Sequence, residues 1–177
     1  MGNRPARESM TDSRLHEFFL EELKDIYGAE KQIVKALPKM QDAATSPELV
    51  QAFEEHLDVT QTQITRLEEI FENLGESADA KKCEAMKGIL DEGEKVIDDT
   101  EEGTATRDVA LILAAQKVEH YEIATYGSLL QLAHTMGHTE VADLLEATLD
   151  EEKEADLKLT EIAESKINYQ ASEEVNE

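Results

Sequence analysis

Four long stretches of this chain repeat apolar residues at helical spacing, and each sets an ionisable residue inside its own apolar stripe. In the first, Leu15, Phe19, Leu23, Ile26, Tyr27, Ile33, Val34 and Leu37 recur on one face, and Glu30 falls in the series. The second carries Leu49, Phe53, Leu57, Ile64, Leu67, Ile70 and Phe71, with His56 three residues beyond Phe53. The third is apolar around most of its circumference between Val109 and Ala133, which places it in the middle of its bundle, yet it holds Glu119 and Glu122. In the fourth, Glu152 lies between Leu145 and Leu159, with Asp156 one turn on.

Local signals set the ends of these helices. Asp12 or Ser13 can cap the first, and Pro38 is expected to kink or shorten it. Ser46-Pro47 starts the second and Gly75 stops it. Residues 79–99 read as a shorter, weaker helix, and residues 100–106 as a loop. The third long helix runs from about Thr106 to His134 with Gly137 behind it, and the fourth from a cap at Thr139 to about Lys166. Residues 1–12 and the acidic stretch 168–177 lack periodicity and read as disordered tails around a bundle at 13–167. Helices of ~28 residues reach ~40 Å. Short loops make two antiparallel hairpins, and the stretch from 76 to 105 is long enough to cross the bundle between them. The expected fold is therefore all-α: a ferritin-like four-helix bundle whose one long crossover contains an extra short helix.

Composition agrees and excludes other classes. Aromatics are 5% of 177 residues and Trp is absent, which favours helices over a β-sandwich. A net charge of -24 leaves no basic footprint for nucleic acid. Spread along the whole chain, it suits a protein kept solvated in high salt, hence a salt-adapted source. No apolar run approaches the ~20 residues of a membrane span, and the N-terminus has no apolar signal region. Ala6 breaks the myristoylation pattern that would begin at Gly2. Cys83 stands alone, which excludes an internal disulfide and fits a reducing cytoplasm.

Any one glutamate at the edge of a helical stripe is more often a solvated flank than a ligand, and the same holds for His56 alone. Coincidence changes that weighting. With the helices antiparallel, Glu30, His56, Glu119, Glu122, Glu152 and Asp156 fall near mid-helix and can share one level of the bundle. Buried carboxylates that close together repel, and a cation resolves the repulsion. Several carboxylates with one imidazole suit iron or manganese better than zinc, which recruits thiolates or several histidines. Glu54, Glu55, Glu151 and Glu154 lie off the stripes and read as exposed.

The segments DIYGAEKQIVKALPKM, SPELVQAFEEHL, AAQKVEHYEIATYGSL and TLDEEKEADLKLTEIA resemble those of the YciE/YciF-type family of ferritin-like stress-response proteins. The resemblance spans residues 13 to 166 and implies a fold similar to rubrerythrin and ferritin, in a bacterial or archaeal homodimer. The wider ferritin-like pattern places one Glu on helices one and three and Glu-x-x-His on helices two and four. Glu30 and Glu119 match the single glutamates, and Glu119-x-x-Glu122 resembles the doubled carboxylate of rubrerythrins. His56 and Glu152 are kept, but Phe53 replaces the Glu of one motif and Ala155 the His of the other, leaving Asp156 as substitute. The resemblance thus implies an incomplete dinuclear centre, or a single-metal site.

Two readings of function follow. In one, iron or manganese at this site reduces peroxide or dioxygen, with Tyr27 and Tyr126, one turn from Glu30 and Glu122, tuning or protecting it. In the other, the chain is a non-enzymatic dimeric bundle that stores or senses metal or uses buried acids for helix register. Calcium binding is weaker still, because DEGEKVIDD lacks the ligand spacing of an EF-hand.

Overall fold

A computed structural model describes residues 13–175. The expected tail at 1–12 and the last two residues lie outside that range. The chain forms α1 (Arg14–Ala43), α2 (Pro47–Leu74), α3 (Glu84–Asp99), α4 (Ala105–Met136) and α5 (Thr139–Ile162). A π-helical turn at Ala163–Ile167 leads into α6 (Asn168–Glu173). The described residues contain no strand, and α1, α2, α4 and α5 are the four long helices of a ferritin-like bundle, with α3 in the crossover. Among the described residues, no helix is long and apolar enough to cross a membrane.

The ends follow from local chemistry. The Ser13 hydroxyl accepts from the His16 backbone N–H at 3.1 Å and opens α1. Gly75 and Gly137 close α2 and α4 at φ 74° and 76°, a left-handed conformation that favours glycine. The turn between α1 and α2 is fixed from outside by Asp108 of α4, whose two oxygens each accept a backbone N–H at 2.7 Å, from Thr45 and Ser46.

Four boundaries differ from the sequence reading, the smallest being that His138 stands at the cap of α5 and Thr139 is its first helical residue. Pro38 neither ends nor shortens α1, because the flanking Leu37 and Met40 are buried and hold the last turn against the lost hydrogen bond. The crossover stays extended until Cys83 before α3 begins. The Lys81 N–H donates to the Lys24 carbonyl at 3.0 Å, and Gln32 Nε2 donates to the Cys83 carbonyl at 3.0 Å. The chain passes so close to α1 that a Cβ on Gly28 would lie 1.7 Å from the Lys81 oxygen. Finally, residues 168–173 are helical and not a disordered tail. Ile167 is buried, and the Glu174 carboxylate accepts from the N–H groups of Ala105 and Thr106 at 2.7 and 2.9 Å, capping α4.

The core is one continuous cluster running from Phe19 and Leu23 through Phe53, Leu67 and Phe71 to Leu129 and Leu145. Each such side chain contributes ~1.5–3 kcal/mol on burial. The apolar core is interrupted at one level by carboxylates.

Candidate metal centre

Glu30 comes from α1, His56 from α2, Glu119 and Glu122 from successive turns of α4, and Glu152 from α5. The stripes identified in the sequence turn all five inward. Glu30, Glu122 and Glu152 are wholly buried, and Glu119 is 3% exposed. Ligand-type atoms of His56, Glu119, Glu122 and Glu152 lie within 4.8 Å of one another. His56 Nε2 is 3.3 Å from Glu119 Oε1 and 4.0 Å from Glu152 Oε2. Glu30 stands beside Glu122 at this level and accepts a hydrogen bond from the Tyr126 hydroxyl.

Hydrogen bonding leaves the centre unfinished. Both oxygens of Glu122 and of Glu152, one oxygen each of Glu30 and Glu119, and His56 Nε2 have no hydrogen-bond partner. Buried polar atoms are almost always paired, so this many at one level is exceptional. Burial holds the carboxyls toward their neutral forms: Glu30 is pushed up to about 8 and Glu152 to about 7, with the charge of neighbouring acids adding to desolvation in both. Glu119 and Glu122 are raised for the same reasons. Desolvation pushes His56 down to about 4, so its imidazole is neutral and its nitrogen lone pair is available. Protons and an acceptor lone pair are what a divalent cation displaces and uses, so the residues present fit a metal ion.

Asp156 does not join them. Four residues beyond Glu152, it is rotated toward α4, where it accepts from Gln116 at 3.3 Å and faces His120 Nε2 at 3.2 Å. Tyr27 is also directed elsewhere and donates to Glu68 at 2.7 Å. Tyr126 does reach Glu30.

The sequence reading missed a buttress beside the centre. Glu151, expected on the surface, is half-buried and takes both Arg66 guanidinium N–H groups at 2.8 Å, with Gln63 donating at 3.1 Å. Arg66 also donates to Thr148 at 2.7 Å, so one side chain ties α2 to α5 next to Glu152. The available signal was that Arg66 is the only Lys or Arg within α2.

Residues 14–172 match a family described as a domain of unknown function, DUF892. The chain belongs to that family. It is 44% identical over 163 residues to Protein YciF of Escherichia coli K12, covering 92% of this chain and 98% of that one. The crystal structure of the E. coli stress protein YciF superposes with a TM-score of 0.84, covering 88% of this chain and 98% of that chain. YcfI from Rhodopseudomonas palustris gives 0.81 at 40% identity, over 84% and 94% of the two chains. A Xanthomonas campestris protein gives 0.67 at 25% identity, over 86% and 92%.

Proposed function

We propose that this chain is a ferritin-like stress-response protein that binds iron or manganese through His56, Glu119, Glu122 and Glu152, with Glu30 completing the set. One observation carries the reading: orphaned carboxylate oxygens and an imidazole nitrogen from α2, α4 and α5 gather within 4.8 Å of one another, with Glu30 of α1 beside them. The name of the E. coli relative as a stress protein supports the physiological setting. A bound redox metal supplies the means to reduce peroxide or dioxygen, or to oxidise ferrous iron as substrate.

The chain's own groups set the conditions. Tyr126 orients Glu30 by donating to it, and the Arg66–Glu151–Gln63 buttress fixes the α5 turn that presents Glu152. Apolar packing above and below the carboxylates keeps the ligand atoms from relaxing apart. The non-enzymatic reading is favoured by one observation, the apolar Phe53 and Ala155 where further ligands would stand. A second copy of the chain is the proposed partner.

Metal analysis of chain purified without chelator, followed by anaerobic addition of ferrous iron or manganese and then peroxide, tests both. The expected result is one or two ions per chain and peroxide consumption, both lost in Glu119→Ala and His56→Ala. Binding unaffected by either substitution would overturn the metal reading. Ions bound without consumption would select storage or sensing.

A further inference from the structure

A cavity of about 240 Å³ opens beside the carboxylates, with walls from α1, α2, α4 and α5 and from Leu90 of α3. Phe53 and Ala155 both line it. These are the two positions where the sequence departs from Glu-x-x-His, so one void occupies the space that a longer ligand set would have filled. Leu37, Met40, Val118 and Leu159 continue the apolar wall. His56 and the buried Glu119 stand at the inner end, and Glu55 and Lys158, each about half exposed, pair across the rim.

The shape and chemistry of this void define an occupant. An apolar cavity of ~150 Å³ holds benzene, so this one has room for roughly ten non-hydrogen atoms. Most of its wall, from Ile33 and Phe53 to Val118 and Leu159, offers such a body apolar contact. The inner end is different, because Glu119 lines it and a carboxyl oxygen accepts an O–H donor. An anionic ligand is opposed by the net charge of -24, and the one lysine lining the cavity is already paired with Glu55.

We infer that the cavity binds a neutral amphiphile of about ten non-hydrogen atoms, its apolar body seated between Phe53 and Ala155 and its terminal O–H donating to Glu119. Alcohols, phenols and organic hydroperoxides share that chemistry. This deepens the metal reading, since the O–H end meets a carboxylate assigned to the ion, whereas the apolar body is held without one.

The test is calorimetric titration of the full chain, metal-free and manganese-loaded, with 1-octanol, its isomer 1-methoxyheptane, and octanoate. Saturable one-to-one binding of octanol is expected, with the ether and the anion at least roughly tenfold weaker, the loss that goes with one unpaired buried acceptor. Ala155→Phe and, separately, Ala36→Leu fill the void from opposite helices and are each expected to weaken octanol by at least about tenfold. Their helical circular dichroism and thermal midpoint, which should match the parent, show that the fold is intact. Undiminished octanol binding in both filled variants, equal binding of the ether or octanoate, or no saturation would overturn the inference. A chain that takes octanol but neither manganese nor ferrous iron keeps the cavity and ends the metal reading; either metal bound without octanol does the reverse.

Discussion

Asp108 and Glu122 lie on the same helix, roughly four turns apart, and both are buried. Asp108 has each oxygen filled by a backbone N–H at 2.7 Å, whereas neither oxygen of Glu122 has a partner. The first acid is finished by the chain itself and serves the α1–α2 turn. The second is not, and a folded protein tolerates it only by protonation or by binding a cation. Burial alone therefore does not mark a functional acid; the pairing of its oxygens does.

Substitutions should separate the two. Glu122→Leu is expected to abolish metal binding while raising the thermal midpoint of the metal-free chain, because it removes a buried carboxyl that has no partner and orphans no other group. Metal content and calorimetry check this, and a lower metal-free midpoint would break the contrast. A pH series comes next. Glu30 and Glu152 have folded-state values raised to about 8 and about 7, so the folded chain holds more protons than the unfolded one. Their contribution to stability is full below the ordinary carboxylate range and is lost as pH rises through those values. His56, lowered to about 4, acts oppositely, removing stability as pH falls from its ordinary value toward 4. Denaturation of metal-free chain between pH 5 and pH 9 should thus show falling stability, and saturating manganese should flatten the fall.

Asp108→Ala is expected to cost ~2–3 kcal/mol by chemical denaturation, since two buried N–H groups lose a charged acceptor, with metal stoichiometry unchanged. Arg66→Ala should cost about 1 kcal/mol, as its pair with Glu151 is partly exposed. It should also weaken metal binding several-fold by loosening the turn that carries Glu152. Glu174→Ala removes an exposed cap and should give the smallest change, seen as faster hydrogen exchange at Ala105 and Thr106 and nothing at the centre.

Much of this contrast is written locally. Ser13, Ser46-Pro47, Gly75 and Gly137 act within one turn, so helix ends could be read directly from them. Glu30, His56, Glu119, Glu122 and Glu152 were legible because each shares a stripe with residues that must face the core. Asp156 was not, because a step of four residues turns a side chain about 40° and, at a stripe's edge, decides which neighbour it meets. Asp108, Glu151 and Glu174 were illegible for another reason. Their partners lie 62 or more residues away in sequence, and nothing near them announces the contact. The cavity is likewise invisible, since Phe53 and Ala155 read as missing ligands until their helices are set side by side.

Gly28 sits two residues before Glu30, where the crossover lies against α1 with no room for a methyl group. The bonds from Lys81 to Lys24 and from Gln32 to Cys83 straddle it. Together they fix how far α1 can rotate about its own axis. Gly28→Ala would push the crossover away and free that rotation, swinging Glu30 off the Tyr126 hydroxyl. The aim of a carboxylate in the middle of the bundle is thus set by a strap on its outside, and the two halves of the chain are geared together at a residue with no side chain.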